Sequence, residues 1–113
     1  MLSIDHLSLF FKAIAADPRI STTHIGIYAS LLQIWQDSGF TDPLRLFSNE
    51  VKPIAKINSS TTYHRCIKDL HDFGYIHYEA SFKRNQGSEI RFILPFKTDD
   101  DSRRYKNRDS AFK

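Results

Sequence analysis

Residues 58–76, which read NSSTTYHRCIKDLHDFGYI, decide the fold that this sequence predicts. The apolar side chains of this stretch recur at the spacing i, i+3, i+4, i+7 and i+10, which is typical of one face of a helix. They are Tyr63, Cys66, Ile67, Leu70 and Phe73. Ser59 or Ser60 can cap the N-terminus, and Gly74 suits a left-handed C-terminal end. We therefore expect an amphipathic helix over residues 60–73, with Cys66 as a small buried apolar residue rather than a reactive thiol.

The face of this helix opposite its apolar side chains is polar. It carries Thr61, His64, Arg65, Lys68 and Asp72. The first four are hydrogen-bond donors or small hydroxyls suited to phosphate oxygens and base edges. The acidic residues come late, so only the N-terminal half of the helix suits an approach to DNA. The alternative is a solvated face in which Arg65 and Lys68 pair with Asp69 and Asp72.

After Gly74 the hydrophobic period changes from that of a helix to that of a strand. Residues 75–79 and 89–94 read as two strands, and the polar, basic segment between them reads as a hairpin tip. The tip contains Lys83 and Arg84, followed by Gly87 for a positive φ. Their alternative interpretation is an ordinary exposed turn. From residue 95 to residue 113 the chain is mostly charged, which predicts a flexible tail beyond a single domain of residues 1–94.

Three further elements are predicted between residues 21 and 56. Ser48 can cap a short helix over residues 49–56, which Pro53 limits in length. We expect its inner face to consist of Val51, Ile54 and Ala55. Residues 44–47 read as one short edge strand. A longer helix, capped by Ser21 or Thr22 and ending at Gly39, is apolar on most sides and is expected to lie at the centre of the domain.

The first predicted helix, residues 3–16, has more apolar faces than one small core requires. We expect Ile4, Leu7, Phe11 and Ile14 to pack on the domain. Leu9, Phe10 and Ala13 then remain as a surface patch, which predicts a homodimer formed through this helix. The alternative is that Phe10 folds into the same core and that Leu9 is an isolated exposed residue.

Composition places the chain among single-domain proteins of a reducing compartment. It has 113 residues and 41% hydrophobic residues, enough for one core, and a single cysteine, which excludes an intrachain disulfide. Residues 48–113 carry 13 basic and 9 acidic groups, a balance of +4, and residues 1–47 lower the net charge of the chain to +3. This excess permits an anionic partner. The start resembles no signal peptide, and no stretch is long enough to span a membrane, so we expect a cytoplasmic protein.

The sequence contains no motif for metal binding or catalysis. His64 and His71 are seven residues apart on one helix face, but neither a cysteine pair nor a carboxylate at ligand spacing stands beside them. No motif joins a nucleophile to a base. We therefore expect no metal, no cofactor and no enzymatic activity. No small-molecule ligand is evident from the sequence, and it leaves an effector ligand open.

The order of these elements resembles a winged helix-turn-helix DNA-binding domain, an α+β fold. The resemblance covers roughly residues 20–94: Ser48 to Ala55 matches the first helix of the motif, Asn58-Ser59 the turn, residues 60–70 the recognition helix, and Phe73-Gly74-Tyr75-Ile76 the entry to the wing. Pro53 departs from the pattern. In bacterial members a pattern similar to S-x-x-T-x-x-R-x-I-x-x-L-x-x-x-G-Y-I recurs here, as in transcriptional regulators and in replication or excision factors of mobile elements.

The resemblance implies that the helix over residues 60–73 enters the major groove of double-stranded DNA and that the wing over residues 80–89 lies on the backbone or minor groove. The residues expected to contact DNA are Ser59, Ser60, Thr61, Thr62, His64, Arg65, Lys68, Lys52, Lys56, Lys83 and Arg84. Bacterial transcriptional regulation is the expected function. A plasmid or transposon replication or excision factor, and a winged-helix protein–protein adaptor that binds no DNA, are the alternatives.

Overall fold

A computed structural model of the chain describes residues 2–81 and 87–93, with side chains from His6 onward. Its elements are α1 Leu2–Ile14, α2 Thr22–Asp37, β1 Leu44–Leu46, α3 Ser48–Ala55, α4 Ser60–Asp72, β2 Ile76–Glu79 and β3 Ser88–Phe92. They form a small α+β domain of four helices and a three-stranded antiparallel sheet. Lys83, Arg84 and the predicted tail lie outside the described residues. Within these residues, none of the helices is both long and apolar enough to cross a membrane.

Helix α4 has the amphipathic phase that its sequence predicts. Its residues Tyr63, Cys66, Ile67 and Leu70 are all buried. Ser59 is the N-cap, and its Oγ accepts a hydrogen bond from the backbone N–H of Thr62 at 3.1 Å. Gly74, with φ +92°, turns the chain from α4 toward β2. Cys66 is 2% exposed, which confirms it as a core residue, and this burial raises the pKa of its thiol.

Helix α1 has a different phase from the one predicted. Phe10 is fully buried, and its ring stacks on Tyr28 with centroids 3.9 Å apart. The ring also meets Tyr75 edge-on at 5.3 Å. Phe11, which was expected in the core, is 47% exposed. The prediction that Phe10 belongs to a dimer surface is therefore wrong, because its ring packs against the buried rings of Tyr28 and Tyr75. The alternative describes the structure: Phe10 joins the core, and Leu9 is exposed.

Helix α2 crosses the centre of the domain and packs against α1, α3 and α4. Ser21 caps it, as predicted, and the residue three positions later is His24, which stands where a capping box usually has Glu or Gln. Ile27, Tyr28 and Leu31 are fully buried on it. This helix is the surface on which the other three helices assemble.

Strand β3 lies in the middle of the sheet, in the order β1-β3-β2. Ile90 is opposite Leu44 on one side and opposite Tyr78 on the other. The predicted edge strand is confirmed, since β1 pairs only with β3 within the described sheet. Gly87 precedes β3 where a Cβ would collide with the backbone of Leu46, so β1 can approach closely only because this position lacks a side chain.

Helix α3 corrects two details of the prediction. It begins at Ser48, and the N-cap is Phe47, whose backbone N–H donates to Oε2 of Glu50 at 2.8 Å. Val51 is buried, but Ile54 is 47% exposed. Ile54 points outward because this eight-residue helix packs through Val51 and the half-buried Ala55, which lie four residues apart on one face.

A buried carboxylate joins the loop between α1 and α2 to the start of the sheet. Asp17 accepts hydrogen bonds from Nε of Arg19 at 2.8 Å and from Nη2 at 2.9 Å. The hydroxyl of Tyr75, 58 residues away in sequence, donates to the same carboxylate at 2.6 Å. These bonds, chiefly those from Arg19, hold the pKa of Asp17 at about 2 despite the opposing effect of burial.

We expect Asp17→Asn to lower the free energy of unfolding by about 1–2 kcal/mol at pH 7, because it removes the charge from a buried hydrogen-bonded group. The folded-state pKa is below the ordinary value of 3.8. The contribution of Asp17 is therefore complete above pH 4 and is lost as the pH falls toward 2. Urea denaturation at pH 7 and at pH 2 measures it. Asp37→Asn on the exposed end of α2 is the control, and an equal loss in both variants contradicts this role.

Candidate nucleic-acid interface

Helices α3 and α4 are joined by a tight turn that places their polar residues side by side. Lys56 ends α3 in the left-handed region, with φ +62°. The backbone N–H of Ile57 then donates to the carbonyl oxygen of Lys52 at 2.9 Å, which closes the turn. On the side-chain side, Nζ of Lys52 donates to Oγ of Ser60 at 2.8 Å. The end of α3 and the start of α4 thus form one continuous surface.

The outer face of α4 contains the side chains that its sequence predicts there. Thr61, His64, Arg65, Lys68 and Asp72 are all exposed. Ser59 and Ser60 are exposed beside them, and Thr62 is half-buried. Apart from Asp72 in the last turn, this face carries only donors, hydroxyls and an imidazole. The N-terminal half of α4 therefore presents a neutral-to-positive surface to an approaching partner.

Two of the predicted hydroxyl contacts already have partners within the domain. Oγ of Ser59 caps α4, and Oγ of Ser60 accepts from Lys52. A serine hydroxyl has a second lone pair and a rotatable proton, so both can still donate. Ser59 nevertheless acts first as a structural cap, a role that sequence also predicts for it.

His64 has a defined tautomer on this surface. Its Nδ1 lies 2.9 Å from the carbonyl oxygen of Ser60, and a carbonyl only accepts, so Nδ1 carries the proton. In the neutral ring, Nε2 is then a hydrogen-bond acceptor on the exposed side of α4. His64 can therefore accept from an exocyclic amine of a base, whereas Arg65 beside it can only donate.

The acidic residues of α4 divide between two roles. Asp72 lies 3.9 Å from Nζ of Lys68, and both side chains are more than half exposed, so this pair contributes little and Lys68 can exchange it for a phosphate. Asp69 faces the other way and accepts from Nε2 of His24 on α2 at 2.9 Å. The alternative interpretation was that the charged residues of α4 pair with one another on a solvated face. It holds for Lys68, which lies near Asp72, but not for Asp69, which pairs with His24.

A groove of about 490 Å³ runs beside the turn between α3 and α4. It is lined by Asn49, Lys52, Pro53, Lys56, Ile57 and Asn58. The two lysines were predicted as DNA contacts, but the two asparagines were missed. Asn58 stands in the predicted turn, and that position was the available signal for it. The groove combines two positive charges with two amides, which suits an anion with several oxygen acceptors.

Lys83 and Arg84, predicted to contact DNA from the hairpin tip, lie outside the described residues. Strands β2 and β3 that flank the tip are present and antiparallel. No family model, curated protein or solved structure matches this chain.

Proposed function

We propose that this chain is a winged helix-turn-helix protein that binds double-stranded DNA in a sequence-specific way and acts as a bacterial transcriptional regulator. The observation that carries the proposal is the exposed face of α4, where Thr61, His64, Arg65 and Lys68 stand together opposite a buried face. The α+β layout supports it, since α3, a tight turn and α4 are followed directly by two antiparallel strands.

Helix α4 is proposed to enter the major groove by its N-terminal half. The major groove of DNA is wide enough for a helix. The base edges in it offer hydrogen-bond acceptors to Arg65 and donors to Nε2 of His64. Asp69 is turned toward α2 and Asp72 lies at the far end of α4. This distribution keeps the carboxylates away from the phosphates.

Lys52 and Lys56 are proposed to contact DNA phosphates at the edge of the major groove. The N-terminal N–H groups of α4 are proposed to point at a neighbouring phosphate. The wing, through Lys83 and Arg84, is proposed to meet the backbone or minor groove. These contacts position the protein, whereas α4 reads the sequence.

Selection from a random pool of double-stranded DNA tests the proposal directly. We expect repeated rounds with the full chain to enrich one short motif, bound at least ~10³-fold more tightly than unrelated DNA. A pool that stays random, with affinity at the non-specific level, contradicts DNA recognition and favours the adaptor alternative.

We expect Lys52→Gln combined with Lys56→Gln to weaken binding to all DNA sequences alike. Removing one lysine–phosphate pair should lower the slope of log affinity against log salt by about 0.9, so the double variant should lower it by about 1.8. Titrations at several salt concentrations measure the slope. Lys12→Gln is the matched control, because Lys12 is an exposed lysine on α1, far in sequence from Lys52 and Lys56. An unchanged slope in the double variant removes both lysines from the interface.

The homodimer is proposed to form through the side of α1 that carries Leu9, which is 43% exposed, and Ala13, which is half-buried because it also packs against the core. These residues lie four apart on one side of the helix. The exposed Phe11 lies on the other side, with its ring against Phe10 at 6.1 Å. A two-fold dimer would place two α4 helices on half-sites about one turn of DNA apart.

We expect Leu9→Glu combined with Ala13→Glu to give a folded monomer that binds its DNA site more weakly, because charges would be buried in the interface. Sedimentation equilibrium at micromolar concentration measures the oligomeric state. Phe11→Glu, on the other side of the helix, is the control and should remain dimeric. Wild-type protein that is monomeric both free and on DNA rules out this interface.

A further inference from the structure

Three side chains with metal-binding atoms converge between α2 and α4. A ring nitrogen of His24, Sγ of Cys66 and a carboxylate oxygen of Asp69 all lie within 4.8 Å of one another. His24 and Cys66 are buried, whereas the side chain of Asp69 is 33% exposed. Sequence spacing did not predict this cluster, because His24 is 45 residues from Asp69.

We propose that His24, Cys66 and Asp69 bind a divalent ion of the zinc type, with water in the fourth position. Imidazole, thiolate and carboxylate are the donors that zinc takes in proteins, at bond lengths of about 2.0–2.3 Å. In a tetrahedral site such bonds hold the donor atoms roughly 3.2–3.6 Å apart. The three donor atoms now lie within 4.8 Å of one another, so binding requires them to come together to these separations.

The hydrogen-bond partners of His24 show that Nε2 is the ring nitrogen that would bind the ion. The backbone N–H of Ser21 donates to Nδ1 at 2.9 Å, so in the neutral ring Nε2 carries the proton and donates to Asp69. An ion bound at Nε2 requires that proton to move to Nδ1, which ends the hydrogen bond that Nδ1 accepts from the backbone N–H of Ser21. Oγ of Ser21, 2.8 Å from Nδ1, can then accept a hydrogen bond from the protonated Nδ1. This supplies the outer hydrogen bond that metal-ligating histidines usually make.

The arrangement does not suit a nucleophilic cysteine. In a Cys-His-Asp triad the carboxylate and the thiol engage different nitrogens of the ring. Here Nδ1 is occupied by Ser21, and Nε2 faces the carboxylate. The thiol is also 2% exposed, which keeps a substrate away from it.

Binding must displace one proton from the cluster. When the S–H bond breaks and the sulfur–metal bond forms, the thiol proton leaves to solvent. The imidazole proton only changes nitrogen.

The bound ion would tie the start of α2 to the middle of α4. It would therefore stabilise the folded domain in proportion to its free concentration. This stabilisation does not depend on DNA binding. A negative result for the metal site therefore does not contradict the proposed function, and a negative result for DNA binding does not contradict the metal site.

Titration of the full-length protein with Co²⁺ tests the site. A cobalt–thiolate bond gives a charge-transfer band in the near ultraviolet, and cobalt accepts the same tetrahedral donors as zinc. We expect one equivalent of Co²⁺ to produce this band and Zn²⁺ to displace it. Cys66→Ser should abolish the band, and Asp69→Asn should weaken cobalt binding by at least tenfold. His77→Gln, an exposed histidine on β2, is the control and should bind as wild type.

A second measurement covers the case in which Cys66→Ser does not fold. Calorimetry of wild-type protein with Zn²⁺, in two buffers of different ionisation enthalpy, should report one proton released per ion. Absence of the thiolate band at saturating Co²⁺, a band that persists in folded Cys66→Ser, or zinc binding without proton release overturns the proposal.

Discussion

Phe10→Ala should lower the free energy of unfolding by about 3–5 kcal/mol, the largest effect expected of any single substitution in α1. The ring is fully buried between Tyr28 and Tyr75. Its removal takes away buried apolar surface, one stacked pair and one edge-on pair, and leaves a cavity between tyrosines that are anchored in other elements. Such a decrease is a large fraction of the stability of a domain of this size. Urea denaturation monitored by circular dichroism measures it.

Phe11→Ala is the matched control, since it makes the same chemical change one residue away. Phe11 is 47% exposed, so we expect a loss below about 1 kcal/mol. If the two variants lose equal stability, or if Phe11→Ala loses more, α1 is rotated by about one residue from the arrangement described above.

Arg65→Ala should weaken binding to the selected DNA site by about 1–3 kcal/mol, a factor of roughly 5 to 150. This range applies to an arginine that donates two hydrogen bonds to a guanine. Arg65 is exposed in the N-terminal half of α4, next to His64, where helix-turn-helix proteins contact base edges. The variant should also lose its preference at one base position, which repeated selection from a random pool would show.

Arg91→Ala separates base reading from simple loss of charge. Arg91 is an exposed arginine on β3, outside the surface formed by α3 and α4. We expect this variant to select the same motif as wild type with similar affinity. If Arg65→Ala behaves like Arg91→Ala in both affinity and motif, α4 does not read the sequence through Arg65.

The phase of α4 could be predicted from sequence because its two faces differ in composition. Tyr63, Ile67 and Leu70 alternate at helical spacing with charged or hydroxyl side chains, so only one rotation of the helix buries apolar surface. The caps at Ser59 and Gly74 were predictable for a similar reason, since each has a local backbone requirement.

The phase of α1 could not be predicted in the same way. Leu7, Leu9, Phe10 and Phe11 surround the helix axis, so several rotations bury a similar apolar area. The choice is made by Tyr28 and Tyr75, which lie on other elements and whose rings fit Phe10. Such a contact between distant segments leaves no periodic signal in α1 itself.

The candidate interface divides along the same line. Exposure of His64, Arg65 and Lys68 follows from the helical period alone and was predicted. Contacts that cross the fold were not, among them Asp17 with Tyr75 and His24 with Asp69. Each joins residues 45 or more apart, so each depends on tertiary packing that no local pattern encodes.

The position of β3 between β1 and β2 bears on the order in which the protein can fold as it is made. A ribosome adds about 5–20 residues per second, and earlier segments emerge first. The helices and both outer strands precede β3 in the chain. The two outer strands do not pair with each other in the described sheet. The backbone groups of Leu44–Leu46 therefore have no strand to pair with until β3 has been made. The nascent chain can gather its helices early, but the sheet closes only when residues 88–92 have been synthesised and have left the exit tunnel.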